Sequence, residues 1–237
     1  MKKLIFLLYF TVWGGASIAS NFTAGSTVFV IDFQGTELKK KPNSNAKVLD
    51  MLLPGDPLTI INNTNKSIQF SIFVQFHMNG VWLEVKTADG RKGYIFSGDV
   101  SNIPPQVDEF PYQPLRIDLL GDEIKTDTYK DSVNIYGQLF EVDSEKTTFD
   151  HGTYIISSYE GCQSRIYSFT ELSFNEVFHQ MRNMYLSIDE ETGEVISPRL
   201  IRRNENEFVF SLPKSSGEVK IVVQKNGVID IQTFYCS

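Results

Sequence analysis

The sequence predicts a mainly β protein of two domains: a small N-terminal β-barrel over residues 25–103 and a C-terminal antiparallel, β-rich α+β domain with one helix over residues 115–237. Three observations predict it. Short apolar runs separated by tight-turn signals fill the first segment, and four of the nine prolines, Pro104, Pro105, Pro111 and Pro114, fall within residues 101–114. The third is the tail from Glu207, where apolar and polar residues alternate around turns, with a single helical pattern upstream of it.

The amino end reads as an export signal over residues 1–19. Lys2 and Lys3 precede the apolar run Leu4 to Trp13, and small side chains from Gly14 to Ala19 follow, so cleavage is expected after Ala19. That apolar core is about half the length needed to span a bilayer, so no stable membrane insertion is expected after cleavage. Loss of Lys2 and Lys3 takes the net charge from -7 to -9, a balance that argues against nucleic-acid or anionic-lipid partners. The localisation this implies is periplasmic or secreted.

Each element of the first domain has a local cause. Thr27 to Phe33 is a β-branched and aromatic run, and Val48 to Leu53 a second apolar one. Pro54-Gly55-Asp56-Pro57 signals a turn before Leu58 to Ile61, and the polar patch Asn62 to Asn65 reads as a loop. Ile68, Phe70, Ile72, Val74 and Phe76 then alternate with mostly polar neighbours, the period of a half-buried strand whose edge is a candidate docking surface. Asn79-Gly80 predicts a two-residue hairpin turn, Val81 to Val85 a returning strand, Asp89-Gly90 another turn, and Gly93 to Phe96 the closing strand. The prolines of residues 104–114 deny backbone donors and predict a semi-rigid linker.

These residues resemble the bacterial SH3-like family, often called SH3b. The likeness lies in Leu38 with Pro42, Val48-Leu49 and Leu53 before Gly55, Leu58 with Ile60, Trp82 with Val85, Asp89-Gly90, and Gly93-Tyr94-Ile95. The resemblance implies a small, strongly bent barrel in an exported module that binds cell-wall peptide or another envelope protein. Residues 62–80 depart from the family pattern by adding a hairpin that could cover the ligand groove. Tyr94, Phe96 and Trp82 are the candidate ligand-binding side chains, because aromatic rims of small barrels lie on such strands; Trp82 and Tyr94 are equally candidates for core filling. Lys39-Lys40-Lys41 reads as a solvated basic loop.

In the second domain, Leu115 to Leu120, Val133 to Val142, Gly152 to Ser158 and Arg165 to Phe169 read as strands. Phe174, Val177, Phe178 and Met181 follow helical spacing behind Ser173, with Glu176 positioned for a capping box, which predicts a helix over residues 174–183. His179 lies about 140° from the centre of that stripe and is expected to face solvent. Strands over Glu207 to Leu212, Val219 to Gln224 and Val228 to Tyr235 complete an antiparallel meander.

The cysteine count is two, Cys162 and Cys236, which in an oxidising compartment predicts one disulfide; the competing reading makes Cys162 a nucleophile. The chain has no H-E-x-x-H, Cys-x-x-Cys, phosphate loop or G-x-S-x-G elbow, so no cofactor, metal or catalytic residue is assigned. His77, His151 and His179 are far apart in sequence, and the acidic run Asp189 to Glu194 reads as a charged hairpin tip rather than a calcium loop. The functional expectation is a non-enzymatic envelope protein that binds cell-wall peptide or a protein partner. The alternatives are a wall hydrolase, or its accessory, with catalysis in residues 115–237, and a protein-binding inhibitor or complex subunit.

Overall fold

A computed structural model describes residues 22–73, 76–108, 116–135, 138–189 and 191–236; the expected signal segment and residues 109–115 of the proline-rich stretch lie outside them. The N-terminal unit is built from β1 (Thr27–Val30), β2 (Thr36–Lys39), β3 (Val48–Leu52), β4 (Pro57–Phe73), β5 (Phe76–Thr87), β6 (Lys92–Phe96) and β7 (Val100–Ser101), with a 3-10 turn at Ser97–Asp99. They pair in the order β3-β2-β6-β5-β4-β1-β7. The sheet curls into a half-barrel around Val28, Val30, Leu38, Leu58, Leu83, Val85 and Ile95, all essentially inaccessible to solvent. The turns at Gly55 and Gly90 take positive φ, as their sequences predict.

Two local expectations fail in this unit. Asn79-Gly80 is not a turn but lies inside β5, opposite Gln69 and Ile68 of β4, and the pairing of the two strands runs on to Phe73 opposite Phe76. Gly80 serves space rather than turning: a Cβ there would overlap the Phe96 ring. The patch Asn62 to Asn65 is a bulge within β4, marked by register shifts and by Asn65 at φ 51°, and not a loop. Its polar sequence interrupts the alternation without interrupting the strand.

Downstream, β8 (Gln106–Asp108) pairs with β9 (Arg116–Asp118), so part of the expected linker folds back as a short ribbon. The C-terminal sheet contains β10 (Glu123–Ile135), β11 (Gln138–Phe149), β12 (Gly152–Tyr159) and β13 (Cys162–Phe169). After α1 (Phe174–Tyr185) and the small pair β14 (Ser187–Ile188) and β15 (Val195–Ile196) come β16 (Arg199–Arg203), β17 (Glu207–Ser211), β18 (Glu218–Val223) and β19 (Ile229–Cys236). Eight of these strands form one antiparallel sheet ordered β10-β11-β12-β13-β19-β18-β17-β16. The run Val133 to Val142, expected as one strand, spans the end of β10 and the start of β11, which pair as a hairpin with Ile135 opposite Gln138.

The helix forms as its sequence requires. Ser173 caps it, accepting from the Glu176 amide while the Glu176 side chain accepts from the Ser173 amide. Val177, Phe178 and Met181 bury against the meander residues Phe210, Val219, Ile221 and Ile231. That same cluster also contains Ile31, Phe76, Met78 and Phe96 from the half-barrel, so one apolar core runs through both units.

Candidate functional site

The lengthened β4–β5 hairpin reaches beyond the half-barrel and inserts Phe76 among the rings of Phe174, Phe178, Phe208 and Phe210, at centroid separations of 4.9–6.3 Å. A cleft of about 440 Å³ opens along this seam. Phe76, Phe174 and Phe208 line it with apolar surface, and His77, Asn79, Asn175 and Arg203 supply polar groups. The Asn175 side-chain amide donates to the Asn79 carbonyl at 2.8 Å, tying the start of α1 to β5. The Arg203 guanidinium lies 5.0 Å over the Phe208 ring and is exposed, free to meet an anionic group. An apolar cleft with a few convergent polar groups, placed between two units, has the character of a ligand site.

The three aromatic side chains expected to bind ligand share one sheet face but not one environment. Trp82 stands opposite Phe96, and Glu84 opposite Tyr94, so all four point away from the half-barrel core. Phe70 of the added hairpin covers the first pair, its ring 6.1 Å from Trp82 and 4.5 Å from Phe96, and both are only 3% exposed. Tyr94 remains half-buried, in register with Lys39 on its other side. Lys39 itself is 8% exposed and pairs with Glu37 at 2.5 Å, so the basic run is not wholly a solvated loop. The apolar face of the alternating segment 68–76 is likewise covered, because Ile68, Phe70, Ile72 and Phe76 pack on the shared core.

His179 is buried, at 1% exposure, contrary to the solvent-facing position its helical angle predicts. Helix α1 has two covered faces: the apolar stripe meets the meander, and the polar stripe opposite meets the half-barrel and its neighbours. Ser101 Oγ donates to Glu176 at 2.5 Å, the Leu119 amide to Gln180 at 2.9 Å, and the Asn183 side-chain amide to the Ile31 carbonyl at 3.3 Å. Arg182 reaches Asp32 at 3.3 Å and stacks on Phe33. A stripe that reads as solvated is therefore a buried polar interface, bonded at Glu176, Gln180, Arg182 and Asn183 but with both ring nitrogens of His179 left without a hydrogen-bond partner.

Among the described residues, the groups able to hold a metal ion come together once, as Asp32, Asp99 and His179. His77 is exposed beside the cleft and His151 stands 3.5 Å from Glu171, so the three histidines do not converge. Asp189 accepts hydrogen bonds from the Thr192 and Glu191 amides, which hold its carboxyl below the usual carboxylate range and make the acidic run a self-bonded hairpin tip. Burial first, then the stacked Tyr154, pushes the Tyr167 phenol upward, so it stays neutral at physiological pH.

Cys162 and Cys236 are directly paired across β13 and β19 and form a disulfide, leaving no free cysteine among the described residues. A thiolate mechanism at Cys162 is closed to the oxidised chain.

A bacterial SH3 domain is recognised over residues 34–101, and no other part of the chain matches a protein family. No curated protein and no solved structure matches the chain. No helix of the described residues is long and apolar enough to cross a membrane.

Proposed function

We propose that this is an exported, non-enzymatic protein of the bacterial envelope that binds a cell-wall peptide or a protein partner through its SH3 unit. The observation that carries the reading is the bacterial SH3 domain over residues 34–101, folded as a curled sheet whose outer face leads into an apolar cleft. A signal-like amino end and a disulfide both suit a periplasmic or secreted location. The cleft suits a short acidic peptide segment, with an apolar group against Phe174 and Phe208 and a carboxylate at Arg203. Tyr94 borders the uncovered part of the same face. Trp82 and Phe96 support it from beneath rather than touch the ligand.

The test is cosedimentation of the chain from Ser20 onward with purified peptidoglycan. Retention is expected, weakened by Arg203→Glu and by Tyr94→Ala; free washing of the unaltered protein would refute wall binding. One observation favours the protein-partner version. Edge strand β3 and its exit expose Val48, Leu49, Met51 and Leu53, the last at 62%, and a hydrophobic unpaired edge accepts an added strand. In that case Met51→Lys removes capture of an envelope protein while peptidoglycan retention is absent from the start.

A further inference from the structure

The seam between the half-barrel and α1 holds a buried histidine whose surroundings are incomplete. His179 is 1% exposed, and neither ring nitrogen has a hydrogen-bond partner. Nδ1 faces Asp32 Oδ2 and Nε2 faces Asp99 Oδ1, each at 3.7 Å, which is too long for a hydrogen bond. Leaving such polar groups unsatisfied away from water is costly.

Both carboxylates are oriented by neutral donors. The Gln34 amide donates to Asp32 Oδ1 at 2.9 Å, and Thr36 Oγ1 donates to Asp99 Oδ2 at 2.7 Å. In each case the second oxygen is left turned toward His179. Outer donors that fix a carboxylate and leave one oxygen for something else are the usual support of a metal ligand. Arg182 also touches Asp32 Oδ2, at 3.3 Å, and uses part of that oxygen's capacity.

We propose that Asp32, Asp99 and His179 bind one divalent cation of the zinc class, which joins the half-barrel to α1. One ligating atom from each residue lies within 4.8 Å of the others. Tetrahedral ligands about 2.0–2.2 Å from an ion stand about 3.4 Å apart, so one ring nitrogen ligates and the carboxylate facing the other swings across by about an ångström or more to close the set. One imidazole nitrogen with two carboxylate oxygens suits zinc or manganese better than calcium or magnesium. The carboxylates keep 16% and 23% side-chain exposure, which gives an ion a path inward. The two aspartates belong to the half-barrel, Asp32 after β1 and Asp99 at the end of the 3-10 turn, and the histidine to α1, so the ion would act as a clasp across the seam. This does not rest on the wall-binding reading.

The test uses the oxidised chain from Ser20 onward, stripped with chelator and titrated calorimetrically with Zn²⁺. One ion per chain and a higher thermal midpoint are expected. His179→Gln and Asp99→Asn should abolish this binding, while Thr36→Val, which touches no ion, should weaken it by roughly ten- to a hundredfold. A His77→Ala/His151→Ala double variant should bind as the unaltered chain does. Absence of stoichiometric binding by the unaltered chain overturns the proposal, as does unchanged binding in a folded His179→Gln variant. A midpoint that responds to acid and not to Zn²⁺ also overturns it, and assigns a proton to the place proposed for the ion.

Discussion

Phe76 is the side chain on which the two units meet. Its ring contacts four others from the C-terminal unit, and it is only 2% exposed. Phe76→Ala should cost about 3–5 kcal/mol, because the rings around it belong to different elements and cannot collapse together to fill the space. Gly80→Ala acts oppositely, by overpacking against Phe96, and should cost about 1–3 kcal/mol. Both are read from urea midpoints of the purified variants, and a neutral Gly80→Ala would show that Phe96 has room the structure does not give it. The two positions also mark where sequence reading stops. Asn79-Gly80 has the letters of a turn, and only the approach of Phe96 from β6 explains why a glycine sits inside a strand.

At the scale of elements, local signals were legible wherever the cause was local. The capping box at Ser173 and Glu176, the turns at Gly55 and Gly90, and the strands of the tail follow from short-range chemistry and form as predicted. What stayed hidden was contact between elements. The polar stripe of α1 reads as solvated until the half-barrel is placed against it, and nothing in the spacing of His179, Asp32 and Asp99 announces that they converge. Likewise the added hairpin was visible as extra length, whereas its insertion into a second core was not. The disulfide is the long-range link that could be read directly, because only two cysteines exist. It staples the ends of β13 and β19, which are already paired along their whole length. Closing a loop of 74 residues is worth up to about 4 kcal/mol. Cys162→Ser with Cys236→Ser should therefore lower the urea midpoint while the far-ultraviolet dichroism of the folded state is retained; loss of the strand signal would mean that the staple, not the pairing, holds that end of the sheet.

The whole molecule is two sequence-defined units joined by one core. The half-barrel has its own interior around Leu38, Leu83 and Ile95, yet Ile31, Phe76, Met78 and Phe96 leave it to join the interior formed by α1 and the meander. The hairpin that departs from the SH3 pattern is what makes this possible. It covers Trp82 and Phe96, and it builds one wall of the cleft proposed to take ligand. On the proposed reading, recognition moves from the isolated SH3 unit to the seam, and the candidate peptide site and the proposed ion clasp lie along the same junction. A fragment ending near residue 101 would expose Phe76, Met78 and Phe96 together, a patch that a soluble monomer seldom presents.

Equilibrium unfolding in urea tests this joining most directly. Trp82 is the only tryptophan beyond the signal-like segment and lies beneath the added hairpin, so its fluorescence reports the SH3 side of the seam. Far-ultraviolet dichroism reports chiefly the larger C-terminal sheet. One shared core predicts that the two signals follow a single transition with the same midpoint and slope. Two separated midpoints, with Trp82 exposed while the sheet stays folded, would contradict it.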